Sequence, residues 1–400
     1  MTEAIPTVHT LPMTRNTLFD PADDLADLRK ASPVARFAYP DGHLGWLITG
    51  YAAARAVLAD PAFSSRRELQ HFPIPHPMMS AEPAPAEPGS FPEMDPPEHT
   101  RYRRLLTSQF TARRMAELTP TIERIVADHL DAMDRAGSAA DLVQAFALPV
   151  PSLVICELLG VPYDDRDQFQ SRSLVMVNME STPEQTMSAL GGLRDFVRGL
   201  VRAKRAEPTD DLLGSLATAS GLDDEELTTI GLSLLFAGHG LTGNMLALGT
   251  FALLEHPEQL RVFTHGPGLV DSAVEELLRY LTIVHIGPTR TALQDVELEG
   301  QLIRAGETVT LSLPAANRDP DRFDDPDTLD VTRGGRAHLA LGHGLHQCLG
   351  QELARIQMRV AYPALFSRFP TLRLAVPKEE VPMRRTMAFY GVHSLPVAWN

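Results

Sequence analysis

His338–Arg355, reading HLALGHGLHQCLGQELAR, sets one cysteine at the end of a glycine-punctuated loop and at the mouth of a helix. Gly342, Gly344 and Gly350 remove side chains where the backbone must bend tightly or approach something flat. Beyond Cys348, apolar residues recur as Leu349, Leu353, Ile356 and Val360, the spacing of one buried helix face. A thiolate there is stabilised by the positive end of the helix dipole and by free amides. The same amides could donate hydrogen bonds to a metal-bound sulfur and tune its electronics. Taken alone, the loop reads first as a buried cysteine beside a tight turn.

The string LGHGLHQCLG resembles the haem-binding loop of the cytochrome P450 superfamily, Phe-x-x-Gly-x-His-x-Cys-x-Gly. Gly342, Gly344, His346, Cys348 and Gly350 match, and Leu341 stands where the family usually has phenylalanine. The resemblance implies that Cys348 is the axial thiolate of haem b (iron protoporphyrin IX), pushing electron density into the iron to favour O–O cleavage. It also implies that His346 contacts a haem propionate and that Gly342 belongs to the cofactor loop.

A long helix faces that loop in the resembled fold. Asp223 followed by Glu226 forms a capping-box pattern, and apolar residues continue to Leu254 before His256-Pro257 stops the helix. Gly238, Gly240 and Gly243 within it cost about 2–3 kcal/mol of helix propensity relative to alanine. A flat ligand, a helix distortion or a closely packed neighbouring helix would offset that cost. The family usually has Ala-Gly-x-(Glu/Asp)-Thr-Thr here. Ala237, Gly238 and Thr242 match, which sets Ala237 beside the cofactor, but Gly240 replaces the acid and Leu241 the first threonine. The acid and alcohol relay protons during O2 activation, and neither glycine nor leucine donates one. His239 and Thr242 are the substitutes at hand, each a helical rotation away, which makes the chain an atypical member.

Other segments match in order. Asp95-Pro-Pro-Glu-His starts a helix on which His99 and Arg103 share a face; by the resemblance they hold haem propionates, as does Arg290 in GPTRTA. Glu276 and Arg279 lie at i, i+3, ordinarily a surface pair; in the family such a pair is buried and joined by an arginine, for which Arg333 stands. Met78, Met79 and Phe91 fall in a stretch from Phe63 to Met94 whose seven prolines between Phe72 and Glu93 leave little periodicity. Such a long loop is functional or a linker. In the family it caps the pocket, and Phe236, Ile286, Gly287 and Met387 match segments that line it.

The remaining elements read as follows. Residues 20–60 give a short helix, strands at Val34–Phe37 and Gly45–Thr49 around Asp41-Gly42, and a second helix. Residues 121–205 are helical by periodicity, with Cys156 on a buried stripe and a lid of two helices, about 164–179 and 183–204. Val296–Leu302 and Thr308–Leu311 read as strands.

With 400 residues, 44% of them hydrophobic, the chain can bury a large core as one big domain or two ordinary ones. No apolar run reaches the roughly 18 residues of a membrane span, and MTEAIPTVHTLPM has no signal-peptide pattern. Cys156 and Cys348 are too few for a disulfide framework, and a net charge of -15 argues against nonspecific nucleic-acid binding. The expectation is a cytoplasmic monomer with no membrane anchor and no nucleic-acid partner.

The resemblance covers nearly the whole chain. It implies a mainly α fold with a small β region, residues 1–400 forming one cytochrome P450 domain that encloses haem between the long distal helix and the Cys348 loop. It implies an O2-dependent oxidoreductase tailoring a small-molecule natural product. Electrons come from NAD(P)H through a reductase and a ferredoxin, docked at a basic patch near Arg101, Arg104 and Arg336. The missing acid–alcohol pair tips the reading slightly to radical C–C or C–N coupling of an aromatic or indole substrate such as a cyclic dipeptide. Hydroxylation or epoxidation of a macrolide- or terpenoid-like scaffold, with substrate- or water-assisted proton delivery, is the usual outcome. A non-catalytic haem-binding sensor is the reading from another class.

Overall fold

The computed structural model describes residues 7–75, 84–162, 165–166, 172, 182–218, 221–266, 268–385 and 387–400, and only the backbone at Ala112, Pro183 and His239. The expected pocket residues Met78 and Met79, most of the lid helix expected over 164–179, and the His239 side chain lie outside the described residues.

In chain order the elements begin β1 (Thr7–Val8), α1 (Asp23–Ala31), β2 (Val34–Ala38), β3 (Leu44–Ile48), α2 (Tyr51–Ala59) and β4 (Phe63–Ser64). Helices α3 (Glu98–Thr107) and α4 (Ala112–Ala136), strand β5 (Ala139–Asp141), a π-helical turn at Val143–Ala147 and helix α5 (Pro149–Leu159) follow. Then come α6 (Pro183–Ala206), α7 (Leu212–Thr218), α8 (Asp224–Glu255), α9 (Pro257–His265) and α10 (Val270–Leu281). The chain ends with β6 (Thr289–Ala292), β7 (Val296–Leu298), β8 (Gln301–Ile303), β9 (Thr308–Leu311), α11 (Leu313–Ala316), α12 (Gln351–Arg368), β10 (Arg373–Leu374) and β11 (Pro396–Ala398).

Helix α8 is the axis of the molecule. Its capping box closes as the sequence indicates: Glu226 N–H donates to Asp223 Oδ1 and Asp223 N–H donates to Glu226 Oε2, both at 2.8 Å. By length and composition α8 could cross a bilayer, but its apolar surface is instead covered on several sides by α5, α6, α10 and α12. Two of its three central glycines are packed tightly against neighbours, Gly238 against a side chain and Gly243 against backbone. A Cβ on Gly238 would stand 2.8 Å from Ile155 Cδ1, and one on Gly243 would stand 2.6 Å from the Ala147 carbonyl oxygen. Close helix packing therefore offsets their propensity cost.

The β region is a six-stranded sheet ordered β1-β2-β3-β9-β6-β4, a three-stranded sheet β10-β11-β5 and a β7-β8 hairpin. β2 and β3 pair antiparallel with Arg36 opposite Trp46, and β3 runs parallel to β9 with Leu47 opposite Thr310.

Three local expectations change. The helical run over 121–205 is broken by β5, which pairs with β11 through Ala140 and Val397; that partner lies too far along the chain to register in local periodicity. Val296–Leu302 is a turn and two strands, because Glu299 (φ 49°) and Gly300 (φ 73°) fold β7 back on β8 as a two-residue hairpin. On α12 the buried face is Leu353, Met358, Ala361, Tyr362 and Leu365, with Leu349, Ile356 and Val360 half-buried beside it.

Candidate active site

Cys348 sits in a loop whose turns are built from backbone. Gly342 N–H donates to the Leu339 carbonyl at 2.9 Å, Gln347 N–H to Gly344 at 3.1 Å, and Cys348 N–H to Leu341 at 2.9 Å. Gly342 and Gly344 hold φ of 73° and 72°, which an L side chain rarely adopts. Gly344 also passes so close to the Leu58 carbonyl that a Cβ would collide with it. The loop is tied to its surroundings at both ends by one carboxylate, Glu275 of α10. Glu275 Oε2 accepts from His338 Nε2 at 3.0 Å, before the loop, and both its oxygens accept from Arg355 at 2.6 and 3.1 Å, after it.

Burial works against the Glu275 charge, but hydrogen bonds from His338 and Arg355 outweigh it and bring the carboxyl down to about 2 from 4.5. A depressed carboxylate stabilises the fold above its ordinary pKa and loses that contribution as pH falls toward the folded value. Glu275→Gln is therefore expected to remove on the order of 3 kcal/mol at neutral pH. It should also flatten the decline of stability between about pH 4.5 and pH 2. Denaturant unfolding across that range checks this, and parallel curves for the two proteins would place the role of Glu275 elsewhere.

Cys348 opens into a cavity of about 380 Å³. One wall is α8, through Leu234, Ala237, Gly238, Leu241, Thr242 and Met245. Ile155, Phe91, Ile283 and Val284 close the sides, and Leu341, His346, Cys348 and Gly350 form the opposite wall. Burial pushes the Cys348 thiol up, while the Gly350 amide and the charges of Arg103 and Arg355 pull it down. A bound metal cation settles that balance, because a coordinating thiol is deprotonated outright.

At the rim stand basic groups without a carboxylate among the cavity-lining residues. Arg290 is 8% exposed, and among the described residues its side chain hydrogen-bonds only the Thr289 carbonyl, at 2.8 Å. Burial lowers its pKa to about 10, with Asp95 opposing. Arg103 is also lowered, by burial. His99 is fully enclosed, neither ring nitrogen has a partner among the described residues, and its ring centroid lies 4.2 Å from that of His346. His346 is pushed to about 3 by burial and then by Arg290, so it is neutral. Two arginines and orphaned imidazole nitrogens above an apolar slot require an anion. A flat apolar ring system with two carboxylates and a metal at its centre fits all three features. Haem is such a group: Cys348 would ligate its iron, Arg103, Arg290, His99 and His346 would hold its propionates, and Ala237 and Gly238 would lie over its face.

The second buried ion cluster behind this wall is Glu276 with Arg279 and Arg333. Arg279 donates from Nε and from an Nη to Glu276 at 2.7 and 2.8 Å, and Arg333 Nε donates at 3.2 Å. Asn317, which the sequence did not single out, joins the parts. It donates to Thr282 Oγ1 at 2.8 Å, and accepts from Leu339 N–H at 2.7 Å and from Arg279 at 2.9 Å. No local pattern marks an asparagine for that task.

Several expected site residues stand elsewhere. Gly342 lies off the cavity and lines a second pocket on the cysteine-side surface with Arg55, Arg322 and Arg336. Gly240 is not on the cavity wall, and Phe236 is 38% exposed, because the inward face of α8 is set by Ala237, Leu241 and Met245. Ile286 packs with the Leu11–Phe37–Leu47 cluster instead, and Gly287 is pressed against the Leu311 carbonyl. The Met387 carbonyl accepts from His285 Nδ1 at 3.2 Å, while its side chain stays off the wall. At this point the chain turns at a Val284–Phe389 bridge, so Ile283 and Val284 take the inward places. Arg101 donates to Glu226 at 2.6 Å at the start of α8, and Arg336 donates to Glu352 at 2.7 Å.

A metal-seeking cysteine under a long helix, facing an apolar slot rimmed by unpaired cations, defines a haem-thiolate oxidoreductase. Comparison with known proteins agrees. Residues 268–394 match the cytochrome P450 family model. Over the full length of both chains the protein is 52% identical to cytochrome P450 105C1 of a Streptomyces species. It is 44% identical to the vitamin D3 dihydroxylase of Streptomyces griseolus, covering 97% of this chain and 96% of that one. The crystal structure of CYP105P1 in complex with filipin I superposes with a TM-score of 0.89 at 43% identity over 98% of each chain. The chain belongs to the cytochrome P450 family, and its fold is the mainly α cytochrome P450 fold. It is a monooxygenase-type oxidoreductase whose cofactor is haem.

Proposed function

We propose that the protein inserts one oxygen atom into a bulky, largely apolar natural-product scaffold, by hydroxylation or epoxidation, as a cytoplasmic monomer. The carrying observation is the wall opposite Cys348. Ile155, Leu234, Leu241, Met245, Ile283 and Val284 present hydrocarbon, and Ser233 and Thr242 are the only hydroxyls among the described lining residues. Such a wall orients a substrate by shape and keeps water from the reacting position. The bound haem supplies O2 activation in the overall change R–H + O2 + 2e⁻ + 2H⁺ → R–OH + H2O. Relatives point the same way: one is named a vitamin D3 dihydroxylase, and CYP105P1 is seen with filipin I. None of the relatives named above carries a name for coupling, so the coupling of a cyclic dipeptide that the distal motif suggested gives way to oxygen insertion.

The electron donor docks on the cysteine-side surface, where Arg55, Arg322 and Arg336 surround a pocket of about 400 Å³ beside the exposed Leu345. Acidic groups of a ferredoxin complement that surface. The experiment is turnover of a panel containing a secosteroid, a polyene macrolide, a sesquiterpenoid and a cyclic dipeptide with ferredoxin, reductase and ¹⁸O2. One labelled oxygen in an otherwise unchanged scaffold is expected. A dimeric or ring-closed product without label restores coupling, and no O2-dependent product from any member leaves the sensor reading.

A further inference from the structure

We propose that the Thr242 hydroxyl is the proton-donating group of the distal wall, taking over from the acid–alcohol pair that Gly240 and Leu241 interrupt. This rests on the oxygen-insertion reading above.

α8 carries five hydroxyl side chains, and the two without a back-bond are Thr229 and Thr242, of which Thr242 lines the cavity. Thr228, Ser233 and Thr250 each donate to the carbonyl four residues back, at 2.6, 2.9 and 2.8 Å. That back-bond is what a hydroxyl inside a helix ordinarily makes. Thr242 makes none, and no other described group bonds its Oγ1, although the residue is only 7% exposed and lines the cavity. Its hydroxyl is thus without a partner among the described residues, on a residue that walls the slot. As a β-branched residue on a helix, Thr242 has few rotamers, so the hydroxyl stays where the backbone puts it.

The backbone is itself held. Gly238, one turn before Thr242, seats against Ile155, and Gly243, next to it, seats against the Ala147 carbonyl. Turning α8 to bring position 240 onto the wall would drive a neighbouring side chain into those contacts. Of the other proton-bearing groups on the described wall, Arg103, Arg290 and His346 belong to the propionate rim, and Gln357 comes from α12, on the Cys348 side. Ser233 has its proton committed to Thr229. Leu241 donates nothing.

In the balanced reaction both protons come from solvent and both leave in the water formed. Thr242 Oγ1 gives its proton toward the reduced dioxygen and regains one from water reaching the cavity, so the hydroxyl is unchanged over a turnover and no further oxidant or reductant enters. Without it, the two electrons leave as hydrogen peroxide in place of product.

The test uses the full-length, haem-loaded protein with three variants: Thr242→Val, which keeps shape and loses the hydroxyl, Thr242→Ser, and the double variant Thr242→Val/Leu241→Thr. Two quantities are read: product formed per NAD(P)H oxidised, and the infrared C–O stretch of the reduced CO complex without substrate, which senses polar groups on the distal wall. Thr242→Val is expected to bind substrate normally, to lower product per NAD(P)H roughly 10- to 100-fold with hydrogen peroxide making up the difference, and to shift the C–O band. Thr242→Ser should restore both, and the double variant should recover product. Unchanged coupling and an unmoved C–O band in Thr242→Val would overturn the proposal and return proton supply to the substrate or to pocket water. Lost coupling with an unmoved band and no rescue by serine would make Thr242 a packing residue, which also overturns it. Failure of the wild-type protein to form any oxygenated product would count against the oxygen-insertion reading, while the C–O band still reports on Thr242.

Discussion

The reduced, CO-bound protein is expected to show a strongly red-shifted Soret band, and replacing Cys348 by histidine is expected to abolish it. That band requires an anionic sulfur on the iron, and among the described residues Cys348 is the cysteine that lines the cavity. The other, Cys156, is buried in the helical core with its thiol pushed up to about 12 by burial, and it stays a thiol throughout the working pH range. Cys156→Ala should therefore leave the spectrum as it was. Histidine at position 348 offers a neutral nitrogen in place of a charged sulfur, and the electron donation that favours O–O cleavage goes with the sulfur. Monooxygenation should then fall to background even if haem is retained. A red-shifted band that survives in Cys348→His would remove Cys348 from the iron, and with it the functional reading of the loop.

What could be read from the chain and what could not divide along physical lines. The bounds of α8 were legible because capping and proline termination are local: Asp223, Glu226 and Pro257 act within a turn of themselves. The Cys348 loop was legible because its glycines hold backbone angles other residues avoid. Strand β5 was hidden, since its pairing partner is β11 at the far end of the chain. Glu275 and Glu276 are adjacent and chemically alike, and only the fold shows that each organises its own cluster, with Arg355 and His338 for the first and Arg279 and Arg333 for the second. Periodicity could not say whether the α8 glycines made room for a ligand or for α5. Nor could it choose between Val284 and Ile286 for the cavity wall, because a single bridge to Phe389 decides which residue of that stretch turns inward.

Glu276→Ala is expected to yield little folded, haem-loaded protein. The Glu276 and Arg279 side chains are 1% and 2% exposed, so neither can exchange its partner for water. Glu276 accepts four hydrogen bonds: two from Arg279, one from Arg333 and one from Asp330 N–H at 3.0 Å. Arg279 keeps the carbonyls of Asn317, Pro326 and Thr328, but these carry no charge to balance the guanidinium. Removing one partner of such a pair costs roughly 3–5 kcal/mol, a large share of the 5–15 kcal/mol that holds a typical domain folded. The loss falls on the site, because Arg279 and Asn317 join α10 to the start of the Cys348 loop. Arg333 is 18% exposed and also bonds the carbonyls of Asp325 and Thr328. Arg333→Gln should therefore cost markedly less than Glu276→Ala, and the two should be non-additive because they share one carboxylate. Denaturant midpoints and haem content measured across the two single variants and the double variant decide it. Equal, small losses of under about 1 kcal/mol in all three are what a surface pair would give, and they would take the cluster out of the support of the haem site.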